Sequence, residues 1–480
     1  MRSAHLTPMN PTLMKLRVLA AAFLLVGTAS CDRELTLAPT DKVEESAAIV
    51  DAASARAALN GAYDALQDGS YYGGDFLFYS DLLSDDVQHT GTFSDFAAAD
   101  ANHVLADNET LLNIWESIYA TIGVTNQLIA RVPNVPNMDQ ADKDDIIGQA
   151  LFIRALSFHN LVKLWGDIPM PLTPAASIAA ASEIERTPVA QVYTQILADL
   201  AQAETMISNT DTRHATAGAV TALRTRVYLY QQNWQGVIDA ADALEADYQL
   251  APEYADLFTP DGNDTPEDIF RVSFTPVEFN DVGFYYLSRS FGGRWEVAPT
   301  TALRDTYGVS ADPNYDPDTV QTRAAFNPVD PRAAWNIAYD SRNRIFGSKI
   351  PTPVGAEDIH VIRFGEVILN KAEALAQRNG AGDLTLAIAE VNRIRARAGV
   401  PLLNATGLTQ AQVLDLVYRE RRLELAEEGF RWPDLVRIGQ ALTVMNPDPA
   451  NPDVEQYELL LPIPQADLDV SSKLVQNPGY

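Results

Sequence analysis

Nine side chains in the glycine- and proline-rich parts of the chain have the chemistry of a binding face. Tyr71 and Tyr72 sit among Gly69, Gly73 and Gly74, and Phe93 follows in a further irregular stretch. Asn280, Asp281, Tyr285, Tyr286, Arg294 and Trp295 lie together between residues 280 and 295, near Gly292, Gly293 and Pro299. Tyrosine and tryptophan offer flat apolar faces with one polar handle. Such faces stack on sugar rings, while Asn, Asp and Arg beside them can bond hydroxyls. The same rings would also serve to pin long loops onto a scaffold, and the sequence leaves both roles open at each position. Trp295, flanked by Gly292-Gly293-Arg294 and by Pro299, is expected to face a shallow cleft beside Tyr285 or Tyr286.

Signatures of catalysis are scarce. The chain has no P-loop, no G-x-S-x-G elbow and no H-E-x-x-H. Glu357-x-x-His360 is half of a di-iron carboxylate pattern, and no second E-x-x-H accompanies it. Asp85-Asp86 suggests calcium, but the D-x-D-x-D-G spacing of an EF-hand is missing, and a loop or helix-terminus role fits better. A glycosidase would need two carboxylates roughly 5 to 10 Å apart across a cleft. With 64 acidic residues, no pattern selects such a pair. The sequence therefore reads as a binding protein without metal or cofactor, with a helical-barrel glycosidase and a protein-binding helical scaffold as rivals.

The elements that must position these residues are mostly helices. Val361, Phe364, Ile368, Ala372 and Leu375 recur at helical spacing, as do Leu384, Ala387, Ile388, Val391, Ile394 and Ala398. Asn379, Gly380 and Gly382 separate the two, and Gly399 with Pro401 stops the second. This is an αα-hairpin close to one tetratricopeptide repeat, about 34 residues. Thr409 and Gln412 form a capping-box signature ahead of a third helix, Val413–Glu428, ended by Gly429. Its charges, Arg419 to Arg422, Glu424, Glu427 and Glu428, predict a half-solvated face with neighbouring ion pairs. Further helices are expected over Ala47–Gln67, Leu111–Arg131, Asp144–Trp165, Val189–Ile207, Ala217–Gln232 and Trp234–Ala246. His89 to Asp107 reads as loop. Residues 251–357 lose helical periodicity, crowd Pro, Gly, Asn and Asp, and contain one short strand, Ile269–Phe274. Long loops on a rigid scaffold are where binding usually resides.

The 480 residues could hold three domains at about 150 residues each, although stacked helical repeats merge into one body. A formal charge of −29 argues against nucleic acid as a partner. The single cysteine, Cys31, rules out a disulfide within the chain. Lys15 and Arg17 precede an apolar run, Val18 to Val26, and Gly27-Thr28-Ala29-Ser30 lead to Cys31. That is the layout of a signal peptide. The run is too short to span a bilayer, which takes about 20 apolar residues.

Small residues ending on a cysteine resemble a bacterial lipobox, which implies cleavage before Cys31 and acylation of it. Other stretches resemble the SusD/RagB family of nutrient-binding outer-membrane lipoproteins. They include Ser80-Asp81-Leu82-Leu83-Ser84-Asp85-Asp86, Gly148 to Leu156, Leu164-Trp165-Gly166-Asp167-Ile168-Pro169 and Arg363-Phe364-Gly365-Glu366-Val367. Arg419 to Leu425 with Glu428 to Trp432, Leu461-Pro462-Ile463-Pro464 and the terminal Gln476-Asn477-Pro478-Gly479-Tyr480 complete the set. The resemblance implies an all-α fold: a superhelix of tetratricopeptide-like helical pairs, four in number, with a loop-rich insertion carrying short strands. It implies a lipid-anchored, outward-facing protein of the cell outer membrane that captures an oligosaccharide, a peptide or another nutrient. The implied partner is a SusC-like TonB-dependent transporter. The expected layout is a lipoprotein signal peptide at 1–30, a tether at 31–46, helical regions at 47–250 and 358–480, and the insertion at 251–357 as the ligand face. The family motifs are mainly scaffold, so the site residues rest on loop chemistry.

Overall fold

Helix starts follow from side-chain caps. Asp51, Asn108, Thr216, Asn233 and Thr409 each accept a hydrogen bond from a backbone N–H of the first helical turn, which satisfies a donor the helix itself cannot. The helix expected from Ala47 accordingly starts at Ala52, behind Asp51. The computed structural model describes residues 49–177, 180, 182–259, 264–309, 329–447 and 453–480. Cys31 and the segments 1–30 and 31–46 lie outside the described residues.

In chain order the helices are α1 (Ala52–Leu66), α2 (Asp75–Leu82), α3 (Ser94–Asp100), α4 (Glu109–Arg131), α5 (Gln140–Trp165), α6 (Val189–Met206), α7 (Ala217–Tyr230) and α8 (Trp234–Asp242). After them come the short α9 (Val282–Tyr286), α10 (Thr301–Thr306) and α11 (Ala333–Asn336), then α12 (Phe364–Arg378), α13 (Asp383–Arg397), α14 (Gln410–Glu424), α15 (Arg431–Arg437), α16 (Ala441–Met445) and α17 (Gln465–Val470). Neighbours in sequence pack as neighbours in space: α4 on α5, α5 on α6, α7 on α8, and α12 on α13. α8 also packs on α12, and α14 on both α12 and α13, so the first and last helical parts of the chain meet directly. Residues Asp51–Tyr480 form one compact unit. The fold is the all-α stack of helical pairs with short strands that the sequence predicts.

Helix α5 is the centre of the N-terminal part. From Ile146 to Trp165 every residue but Lys163 is buried, as befits a helix surrounded on all sides. Gly166 closes it at φ +74, a conformation in which a Cβ is costly. Inside this region the Arg154 guanidinium meets both carboxylate oxygens of Asp199 at 2.8 Å. The C-terminal core joins Leu229, Val237, Ile238, Ala372, Leu375, Ile388, Val391, Val413 and Val417 from five helices.

Among the described residues the strands form antiparallel two-stranded sheets. These are β1 (Val87–His89) with β5 (Val297–Pro299), β2 (Ile168–Pro169) with β3 (Arg186–Thr187), β4 (Asp268–Val272) with β8 (Ile359–Arg363), and β6 (Ile337–Tyr339) with β7 (Ile345–Gly347). Three sequence expectations change here. The stretch His89 to Asp107 is not a plain loop, because it holds the end of β1 and all of α3. The helix expected through Val361 begins only at Phe364, since Ile359–Arg363 pairs with β4. The third helix stops at Glu424 instead of Glu428, and the chain turns through Glu427 at φ +63 and Gly429 at φ +75.

The charges of α14 also depart from expectation. Glu420, Arg421 and Glu424 are buried, and Glu427 and Glu428 just beyond the helix are enclosed as well. Their partners are remote in sequence. Arg332 reaches Glu420 at 2.6 Å and Glu424 at 2.9 Å, and Arg363 reaches Glu424 at 2.6 Å, Glu267 at 2.8 Å and Glu428 at 2.9 Å. Arg397 pairs with Glu267 and Glu424. A carboxylate inside the protein must be paired to stay ionised, so α14 supplies acids to an internal network instead of a solvated face. The three arginines outweigh the burial that would raise it and hold the Glu424 carboxyl well below the usual carboxylate range.

Candidate functional site

The β1–β5 pairing sets Val87 opposite Pro299 and His89 opposite Val297. It thereby brings the 90–93 turn against residues 294–296, some 200 positions away in sequence. Glu296 is the hub of this junction. It is 1% exposed, and its Oε1 accepts hydrogen bonds from the backbone N–H of Thr92 at 2.5 Å and of Phe93 at 2.6 Å. His89 Nε2 lies 3.2 Å from the same oxygen, and Arg294 Nε donates to Oε2 at 2.8 Å. Burial alone would raise the Glu296 carboxyl. The Arg294 bond and the two backbone donors prevail and keep it below its ordinary range.

Arg294, so held, lays its guanidinium 3.9 Å from the centroid of the Phe93 ring, well within cation–π range. Phe93 in turn lies 6.0 Å from Tyr285 and 5.4 Å from Phe96, both edge-to-face. Tyr285 also contacts Phe78 at 5.2 Å and Phe284 at 5.4 Å. Phe78 and Phe96 are buried beneath, while Phe93, Phe284, Tyr285 and Arg294 keep part of their surface open. The backbone N–H groups of Arg294 and Glu296 donate to the carbonyls of Phe284 and Tyr285, so α9 and this segment are tied together at the main chain.

Trp295 belongs to a second stack on the same segment. At φ +56 its backbone is in the left-handed region, unusual for a bulky residue. Its indole N–H donates to the Ile345 carbonyl at 2.9 Å, and the Arg344 guanidinium lies 4.1 Å from the ring centroid. Arg344 is held by Asp340 at 2.5 Å. Leu287, Ala338 and Phe346 pack beneath the indole, which remains half-buried.

The structure thus brings Phe93, Tyr285 and Arg294 into one cluster with Trp295 adjacent along the chain. The remaining positions singled out from sequence sit elsewhere. Tyr71 and Tyr72 are inside the helical body, where Asn160 Nδ2 donates to both hydroxyls at 2.8 Å. Tyr286 is buried, with β7 against its ring at Gly347. Asn280 is fully buried and clips two strands of backbone, donating to the carbonyls of Gly355 and Glu357 at 2.9 Å each. Asp281, half-buried, donates its N–H to the Gly73 carbonyl at 2.7 Å. Sequence reasoning missed Arg344 and its neighbour Arg342. The turn composition Asp340-Ser341-Arg342-Asn343-Arg344 between β6 and β7 was the available signal, since it places two cations at a hairpin tip.

Among the described residues no cluster of three His, Cys, Asp or Glu side chains could hold an ion. His360 points at Asp268, 3.0 Å away, and at the Leu257 carbonyl, whereas Glu357 accepts from Thr352, so the E-x-x-H pair diverges. Asp86 pairs with Arg422 at 2.5 Å and Asp85 with Arg431 at 2.8 Å, which makes the Asp85-Asp86 pair a structural joint. No helix of the described residues is long and apolar enough to cross a membrane.

The sequence and the fold have counterparts among known proteins. A family model described as the SusD family matches residues 347–480, and one described as starch-binding, associating with outer membrane, matches residues 39–229. SusD-like protein P2 of Formosa agariphila is 27% identical over 473 residues, spanning 89% of this chain and 92% of that protein. SusD-like protein P38 of the same organism is 25% identical, spanning 94% and 96%. Among solved structures, a laminarin binding SusD-like protein superposes with a TM-score of 0.75 at 25% identity, over 90% of this chain and all of that one. A SusD superfamily protein from Bacteroides vulgatus shares the fold with a TM-score of 0.76 at 22% identity, over 90% and 99%. With both ends of the sequence matching one family and the fold matching it over nine-tenths of the chain, this protein belongs to the SusD/RagB family.

Proposed function

We propose that this chain is a non-enzymatic, lipid-anchored protein of the outer-membrane surface that captures an oligosaccharide and passes it to a SusC-like TonB-dependent transporter. The observation that carries the reading is the pair of aromatic–arginine stacks, Phe93 with Arg294 and Trp295 with Arg344, held on irregular segments above a rigid helical body. Part-exposed rings with fixed hydrogen-bond donors beside them are the equipment for stacking on sugar rings and bonding their hydroxyls. The laminarin-binding relative supports a glycan as ligand. The family description that mentions the outer membrane supports the location. Cys31, behind its apolar leader, is the attachment point in this reading. Delivery requires release, so affinity in the micromolar range, about −8 kcal/mol, suits the role.

Electrophoresis of the purified protein through gels containing a panel of polysaccharides tests the reading. Retardation by at least one glycan, abolished in Trp295→Ala, supports it. Migration unaffected by every glycan would refute it, and product formed on long incubation and lost with one Asp or Glu substitution would establish an enzyme instead.

A further inference from the structure

The two segments that carry the stacks have a charge opposite to the rest of the protein. Residues 288–296 and 339–347 contain four arginines, Arg289, Arg294, Arg342 and Arg344, against two acids, Glu296 and Asp340, in a chain of net charge −29. The acids and the arginines are also layered. Glu296 and Asp340 are buried, at 1% and 3% exposure, and act from beneath on Arg294 and Arg344. Arg289 and Arg342 are exposed at the tips. Both carboxylates of the two segments are therefore turned inward, while the guanidinium groups of Arg289 and Arg342 stand at the surface near the part-open aromatic rings.

The two tips are held in place relative to each other. Phe291, two residues from Arg289, lies 5.2 Å from Phe346 of β7, and the Trp295 indole bonds the Ile345 carbonyl. Arg344 on the ring and Arg342 at the turn flank the same hairpin. Guanidinium groups form paired, charge-assisted hydrogen bonds with carboxylate and with sulfate or phosphate oxygens. A neutral glycan can take hydrogen bonds from these guanidinium groups, but it offers nothing to match the two positive charges by which the segments exceed their acids.

We propose that the ligand of this face is an anionic saccharide, one whose rings carry carboxylate or sulfate-ester groups, with Arg289 and Arg342 reading those groups while Trp295 and Phe93 take the sugar rings. This rests on the glycan-binding reading above. Three probes decide it by calorimetric titration on the full purified chain: an oligogalacturonate, an oligosaccharide of a sulfated galactan, and a laminarin oligosaccharide. The expected result is at least one acidic probe bound tenfold or more tighter than laminarin, with the preference collapsing between about 50 mM and about 500 mM salt as screening sets in. Which acidic probe binds identifies the group recognised. Arg289→Gln combined with Arg342→Gln is expected to cost the acidic probe tenfold or more in affinity. Both residues are exposed, and an unchanged melting temperature verifies that the variant folds. Laminarin bound as tightly as the tighter of the two acidic probes, salt-insensitive binding, or full affinity in the double variant overturns the anionic assignment and leaves glycan binding standing. Failure of all three probes overturns the anionic assignment, and the polysaccharide panel above decides the glycan-binding reading separately.

Discussion

The guanidinium of Arg344 lies over the indole of Trp295, 4.1 Å from its centroid, and the next residue of the hairpin accepts the indole N–H. Arg344 thus covers one face of the ring, Leu287, Ala338 and Phe346 pack beneath it, and the N–H edge is committed to the hairpin backbone. The remaining open surface is what a sugar can use. Trp295 is an anchor of the hairpin, and in the proposed function it is a ligand surface as well.

Trp295→Ala should therefore do two things. Loss of a stacked ring should weaken glycan binding by about 2 kcal/mol or more. Loss of the contacts with Leu287, Ala338 and Phe346 should lower folding stability by about 1–3 kcal/mol. Trp295→Phe should recover most of the binding and only part of the stability, since a phenyl ring stacks but cannot donate to Ile345. Titration and thermal melts on both variants check this. Binding per folded molecule that survives in Trp295→Ala would leave the indole as an anchor alone.

Asn160→Leu should behave in the opposite way. The Asn160 amide serves the hydroxyls of both Tyr71 and Tyr72 inside the helical body. Stranding buried hydroxyls costs about 1–3 kcal/mol. Glycan affinity should not change. A loss of affinity without a loss of stability would return Tyr71 and Tyr72 to the ligand face.

Glu424→Gln should be among the most damaging single changes. It leaves Arg332, Arg363 and Arg397 buried around a neutral amide. Removing one member of a buried ion pair typically costs about 3–5 kcal/mol. Chemical denaturation against the native chain measures this directly, and a difference under about 1 kcal/mol would show that the network is energetically dispensable.

Glu427 gives a pH-dependent signature. Burial, aided by Asp81 and Asp86 and opposed by Lys349, lifts its carboxyl from 4.5 to about 8. The folded chain then keeps a proton that the unfolded chain has already released between these two values. Stability contributed by this group is full below about pH 4.5 and declines as pH rises through 8. Glu427→Gln removes the decline. Its stability relative to the native chain should rise across that window, by up to about 1.4 kcal/mol per pH unit. Denaturation at pH 5 to 8 in steps tests it, and a constant difference would mean that Glu427 ionises as it does in the unfolded chain.

Cys31→Ala tests the anchor. The substituted protein should leave the membrane fraction and appear soluble in the periplasm, because stable anchoring takes more than one lipid chain and all of them would be lost. Membrane-bound, protease-accessible protein in intact cells of the variant would contradict the lipoprotein reading.

Much of the helical scaffold was legible because its signals are local. Thr409 with Gln412 marks the start of α14 through a capping box, and Gly399 before Pro401 marks the end of α13. What stayed hidden depends on partners far along the chain. Ile359–Arg363 is a strand because Asp268–Val272 lies beside it, and no window around Val361 contains that fact. The charges of α14 look like those of a solvated helix until Arg332, 92 residues away from Glu424, is brought onto them. Tyr71-Tyr72 carry the flanks of a surface turn, yet α5 passes over them and supplies Asn160. At the candidate site, Trp295, Arg294 and Phe93 were legible as chemistry, whereas their arginine–ring pairing required the β1–β5 and β6–β7 contacts to exist first.

The buried charge network has a consequence for how such a protein could be re-aimed. Its members come from the bases of the irregular segments, Glu267 at β4, Arg332 at α11 and Arg363 at β8, and from the helices they stand on. The residues proposed to meet the ligand are nearer the tips. Foundation and fingertip are thus separate modules of one architecture. Exchanging the exposed residues 289–291 and 341–343 for others, with Trp295, Glu296 and Asp340 kept, should alter the cargo while the foundations keep the molecule folded, so this scaffold lends itself to grafting new sugar preferences onto an unchanged frame.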